Sequence, residues 1–180
     1  VLDSSMVKEL HLLTQKPILY VANIEESGCD SNPWIEKLRI FLENENSYLI
    51  PLCAKIESEV SELDDEDEKI EFLKVLGMEE PGLNRVIKLG YQLLGLQNYF
   101  TAGPKEVRAW TISVGVTAPK AAGVIHTDFE RGFIRAEVIS FDDYIKYKGE
   151  HGAKDAGKCR SEGKDYIVND GDVILFRFNI

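Results

Sequence analysis

No apolar run in this 180-residue chain approaches the roughly 20 residues of a membrane span, so no transmembrane helix is predicted and the chain reads as soluble. Its opening residues, VLDSSMVKELHLLTQKP, have neither the basic start nor the apolar stretch of a secretory signal. They begin inside an amphipathic pattern without an initiating Met, from which a cut rather than a native start is expected at Val1. Cysteine is scarce: Cys29, Cys53 and Cys159 are widely spaced and form no CxxC pair. That speaks against a disulfide framework or a zinc site and favours a reducing compartment. His11, His126 and His151 stand far apart, with no i, i+4 pair and no triad context, so no metal site and no nucleophilic hydrolase is expected. GxxxxGK[ST], the loop that cradles nucleotide phosphates, appears nowhere.

Basic residues are also in deficit, and unevenly so. The net charge is −10, from 21 Lys+Arg against 31 Asp+Glu. Residues 1–96 carry 9 basic and 19 acidic side chains, whereas residues 97–180 carry 12 of each. An acidic body repels polyanions, so any RNA contact is expected in the second half, where Lys and Arg can gather on one face. No DNA partner is expected.

What is present divides near Leu96. Lys16–Asn23 (KPILYVAN) and Tyr48–Ala54 (YLIPLCA) are short apolar runs of the kind buried on both faces of a parallel sheet. Between them Asn32 can cap a helix with Pro33 at its first position, and Trp34, Leu38, Phe41 and Leu42 fall on one face. This predicts a strand–helix–strand crossover. Glu57–Glu71 holds nine acidic residues and one base, read as a solvated helix face rather than a metal or basic-partner site, because carboxylates along a helix diverge. Pro81-Gly82-Leu83 opens a further helix to Leu94, with Val86, Ile87, Tyr91 and Leu94 as its apolar stripe.

Beyond Leu96 the pattern is that of a small α+β module. Val107–Val114 alternates as a strand, Thr117 is placed to cap a helix, Pro119 sits in its first turn, and Ala121, Ala122, Val124 and Ile125 form its packing face. Phe133–Ser140 alternates again, and DYIVNDGDVILFRF predicts a hairpin turning at Asn169-Asp170-Gly171. Lys148–Lys164 reads as a short helix and loop, Gly103 and Gly115 as turns, and both Trp34 and Trp110 as core residues. Strand, helix, strand and closing hairpin fit a β-grasp fold.

Tyr99–Ile139, together with KPILYVANIEE, Cys53-Ala54-Lys55 and EEPGLNRVIKLGYQLLGL, resembles the C-terminal part of the YchF, or Obg-like ATPase, family over nearly the whole chain. The resemblance implies two domains: residues 1–96 as part of a P-loop nucleotide-binding (G) domain with a parallel sheet, lacking its P-loop, and residues 97–180 as a TGS domain of β-grasp, ubiquitin-like fold. It further implies a cytoplasmic, ribosome-associated protein that binds and hydrolyses ATP in preference to GTP. Phosphate loop, magnesium ligands and the water-positioning residue would all belong to the absent half, so no catalytic residue is assigned here and the fragment alone is not expected to be active. A noncatalytic β-grasp adaptor binding RNA or protein is the alternative. The family pattern is broken at Cys159, where a Trp is expected, which changes packing in that polar loop.

Within this resemblance Asn23-Ile24-Glu25-Glu26 takes the place of the NKxD loop of P-loop GTPases, where the Asp accepts from guanine N1–H and the exocyclic amine. Adenine offers an acceptor at N1 and no amine at C2, so the NxxE carboxylate, one methylene longer at Glu26, relaxes guanine selectivity. Ile24 is expected against the purine face and Asn23 in loop geometry and base contact. Cys53 and Ala54 resemble the loop completing the base pocket, with Cys53 structural or pocket-lining rather than a reactive thiolate. Ribosome or structured-RNA contact through the TGS domain turns on His126, Arg131, Arg135 and the basic residues of 146–164. Solvated charges balancing Asp128, Glu130 and Glu137 are the other reading of those side chains.

Overall fold

A computed structural model describes residues 9–25, 32–43, 45 and 47–179. Glu26 and Cys29 lie outside the described residues, as do residues 1–8 of the stretch read above as the cut N-terminus. The chain forms two compact units that meet between Leu94 and Gly95. Among the described residues no helix is long and apolar enough to cross a membrane.

In the first unit β1 (Leu19–Asn23), α1 (Pro33–Leu42) and β2 (Tyr48–Leu52) make the expected crossover, with β1 and β2 parallel and Asn23 in register with Leu52. Asn32 caps α1 as predicted, its side-chain oxygen accepting from the Trp34 N–H at 3.0 Å. The buried face of α1 is Ile35 and Leu42, and this corrects the expected stripe: Trp34 is 72% exposed and Phe41 63%. Ile35 and Leu42 are seven apart and so share a face, from which Trp34 and Phe41 are each offset by one residue. Trp34 instead lies under the Lys37 ammonium, 4.6 Å from the ring centroid. The strands are not fully buried as read: Val21 is about half exposed although its register partner Ile50 is fully buried.

The acidic segment forms two helices, α2 (Ala54–Glu62) and α3 (Glu66–Val75), broken where Asp65 accepts from the Asp67 and Glu68 N–H groups. Ile56, Val60 and Leu73 close a small core with Cys53. Most of the carboxylates are solvated as expected, with one exception: Glu57 accepts from the Gly82 N–H at 2.7 Å and the Leu83 N–H at 3.1 Å. It thereby satisfies two orphan donors at the start of α4 (Gly82–Leu94) and sets a negative charge on that helix's positive end. A Cβ at Gly82 would lie 2.7 Å from the same carboxylate, so glycine admits the contact. The packed side of α4 holds Val86, Leu89 and Leu93, while Ile87 and Leu94 are exposed, a correction to the predicted stripe.

The second unit is a mixed five-stranded sheet in the order β4-β3-β7-β5-β6, comprising β3 (Leu96–Ala102), β4 (Val107–Ser113), β5 (Phe133–Ser140), β6 (Arg160–Glu162) and β7 (Asp172–Phe178). β3 and β7 are parallel and the other pairs antiparallel. Helices α5 (Ala118–Ile125) and α6 (Thr127–Arg131) cover one face; α7 (Phe141–Lys146) and α8 (Glu150–Asp155) follow β5. The core beneath α5 joins Tyr99, Ile112, Ala122, Ala136, Val138 and Phe176, with Trp110 packed at its margin.

Four expectations change here. β3 passed unnoticed because Gln97, Asn98 and Thr101 interrupt its apolar pattern; the buried Gln97 donates to the Val168 carbonyl at 2.6 Å. Asn169-Asp170-Gly171 does turn the chain, but no hairpin forms. Asp170 and Gly171 bind the Asn98 backbone, Val168 donates to the Val116 carbonyl, and β7 runs between β3 and β5. Thr117 stands at the helix start without a side-chain cap, and Val124 is exposed, so the packing face is Ala118, Ala121 and Ala122 with Ile125 partly buried beside them. The polar 148–164 segment adds an edge strand, β6, to its helix.

Candidate functional site

The loops leaving β1 and β2 are stitched together. The Ala54 N–H donates to Asn23 Oδ1 at 3.0 Å, and the Ile24 N–H donates to the Leu52 carbonyl at 2.9 Å. Parallel register puts Asn23 beside Leu52, so the two strand exits lie where one side chain spans them. Asn23 and Ala54 are exposed, whereas Ile24 and Cys53 are buried. The Cys53 carbonyl accepts from the Glu57 N–H as α2 begins, and its side chain joins Ile56 and Val60. Asn23 thus acts through its carbonyl oxygen on the neighbouring loop, leaving its amide N–H groups for another acceptor.

His126, Arg131 and Arg135 do not form one cluster. His126 caps α6, its Nδ1 accepting from the Asp128 N–H at 3.2 Å, and Arg131 ends that helix. Both belong to the helix-covered side of the sheet. Arg135 lies on β5 one residue from the buried Ala136, hence on the opposite face.

On that opposite face Arg135 meets Arg177, its direct cross-strand partner on β7. Glu137, only 13% exposed, holds them: Arg177 donates through Nε at 3.0 Å and Nη2 at 3.2 Å, and Arg135 through Nη2 at 3.2 Å. The Lys154 ammonium of α8 adds a contact at 3.4 Å. Sequence reasoning missed Arg177. A lone charge in VILFRF signals a solvent-facing position, but its place opposite Arg135 depends on strand register.

The Arg177 hydrogen bonds, opposed by burial and aided by Arg135 and Lys154, lower the Glu137 carboxyl from its ordinary 4.5 to about 2. A folded-state value below the unfolded one stabilises above pH 4.5, and that contribution is lost as the pH falls from about 4.5 to about 2. The full difference corresponds to ~3 kcal/mol, which half-exposed partners reduce to about 1–2 kcal/mol. Glu137→Gln is therefore expected to cost that much at pH 7 and progressively less toward pH 2.5. Urea melts of both proteins across that range check this; a pH-independent difference would contradict it.

A family model described as YchF-GTPase_C (protein of unknown function, DUF933) matches residues 96–179. The ribosome-binding ATPase YchF of Pasteurella multocida (strain Pm70) is 65% identical over 174 residues, covering 97% of this chain and 48% of that protein. Its namesake in Bacillus subtilis (strain 168) is 54% identical over 181 residues, covering 99% and 49%. The solved structure of the Schizosaccharomyces pombe YchF GTPase matches with a TM-score of 0.80 at 37% identity, covering 96% of this chain and 46% of that one. The chain spans about half the length of the curated relatives it matches. The matched span takes in both the stitched loops and the five-stranded sheet, and the chain belongs to the YchF family.

Proposed function

We propose that this chain is the C-terminal half of a cytoplasmic, ribosome-associated protein that binds and hydrolyses ATP. Residues 1–96 supply part of the purine-base pocket and residues 97–180 form a TGS interaction module. The observation that carries the first assignment is the Asn23–Ala54 hydrogen bond, which holds the exit of β1 and the Cys53-Ala54 loop together as a base pocket requires. Asn23 retains amide donors for purine N7, an acceptor common to adenine and guanine. Discrimination then falls to Glu26, whose carboxylate, one methylene further out than that of an Asp, is displaced from the guanine N1–H and amine donors that would favour GTP. Phosphates and Mg²⁺ are assigned outside these 180 residues; among the described residues no group of three His, Cys, Asp or Glu converges on a cation. What supports the second assignment is the strand order β4-β3-β7-β5-β6 with a helix across one face, the arrangement of a β-grasp. The ribosome as partner follows from the relatives' names.

The test is nucleotide titration of the protein with its preceding half in place. ATP is expected to bind more tightly than GTP. Glu26→Asp with Ile24→Lys is expected to shift the ratio toward GTP by about 1–3 kcal/mol, the scale of a regained pair of base-edge hydrogen bonds. Tighter GTP binding by the unaltered protein would overturn the reading.

A further inference from the structure

We infer that the sheet face carrying Arg135 and Arg177 is the RNA contact of this chain, with the two guanidinium groups clamping a backbone phosphate. The inference rests on the reading that the second unit touches the ribosome, and it names the face and the ligand. Two arginines directly opposite each other on antiparallel strands repel, so such a pair is not a neutral choice for a solvent face. Structure alone does not require it: Arg177 by itself engages both oxygens of Glu137, and Arg135 and Lys154 are additional. Three cations gathered on one carboxylate leave the cluster positive even when Glu150, 2.5 Å from Lys154, is counted.

The geometry suits phosphate. Glu137 takes the Nε/Nη2 edge of the Arg177 guanidinium and a single Nη2–H of Arg135, while Arg135 and Arg177 remain 52% and 47% exposed with N–H donors to spare. Both stand on paired strands, so little ordering is needed on binding. Two other basic side chains of this unit are each held by a single carboxylate away from any second cation: His126 by Asp128 at 3.4 Å and Lys120 by Glu130 at 2.6 Å. A phosphate contact is polar and weakens with salt, and the salt series below reads that dependence.

The experiment measures binding of the 180-residue chain to purified ribosomes by co-sedimentation, and to protein-free ribosomal RNA by filter retention, over a salt series. The double variant Arg135→Ala/Arg177→Ala is expected to lose about tenfold or more in RNA affinity and to flatten the log–log salt slope by about 1–2. Arg135→Ala leaves the Arg177–Glu137 pair intact, so it keeps the fold and is expected to lose several-fold; His126→Ala/Arg131→Ala is expected to bind as wild type. RNA binding by the folded double variant and by Arg135→Ala at wild-type strength and slope would overturn the inference while leaving the ribosome reading standing. Binding of the wild-type chain to ribosomes but not to bare RNA, lost on Arg135→Ala, would assign the face to a ribosomal protein and also overturn it. Failure of the wild-type chain to bind either would defeat the ribosome reading itself.

Discussion

Tyr99→Ala is expected to destabilise the second unit by about 3–5 kcal/mol, a large share of the roughly 5–15 kcal/mol typical of a whole domain. Tyr99 is fully buried in β3, in register with Trp110 and edge-on to Phe176, with ring centroids 5.8 Å apart. Its hydroxyl donates to the Ala121 carbonyl at 2.9 Å, tying the sheet to α5. Truncation removes the aromatic contacts, opens a cavity beneath an alanine-faced helix that has no side-chain mass to fill it, and deletes that tie. Tyr99→Phe keeps the ring and is expected to cost about 1 kcal/mol, the worth of one hydrogen bond. Denaturant melts of the three proteins separate the terms, and a loss below that of Tyr99→Phe for the alanine variant would refute the account.

The 180-residue chain by itself is expected to hydrolyse neither ATP nor GTP above background. In phosphoryl transfer nearly all the acceleration comes from positioning the phosphates and neutralising charge at the γ-phosphoryl group, by a phosphate loop, Mg²⁺ and a residue that aims the attacking water. The sequence contains no GxxxxGK[ST]. On the proposed reading Asn23, Ile24, Cys53 and Ala54 would contact only the base, and contact distant from the reacting bond that is equal in ground and transition states does not raise the chemical rate. Phosphate release from chain purified by two orthogonal routes is the measurement. Turnover that follows the chain through both routes and disappears in Asn23→Ala would show that these residues catalyse.

The same segments show where sequence reading works and where it stops. Asn32-Pro33 announces α1 because a cap and a fixed φ act within one turn, yet the buried stripe is out of phase with the apolar pattern, since Trp34 and Phe41 are apolar but face water. Apolar character records what a side chain can tolerate, and tertiary contact chooses among the tolerable faces. Glu57 illustrates a related difficulty. In sequence it is one of nine carboxylates; in space it alone reaches the N-terminus of α4, 25 residues away.

By itself the sequence determined the crossover of β1, α1 and β2, the strand at Phe133–Ser140, the turn at Asn169-Asp170-Gly171 and the family resemblance, because each is written in adjacent residues through capping, alternation or a short contiguous motif. Tertiary structure alone decided that the interrupted segment Leu96–Ala102 is a central strand, that Asn23 stitches two loops 31 residues apart, and that Arg135 faces Arg177 rather than His126. Local pattern sets periodicity, whereas register and strand order set which side chains meet, and those depend on pairings between segments far apart in the chain.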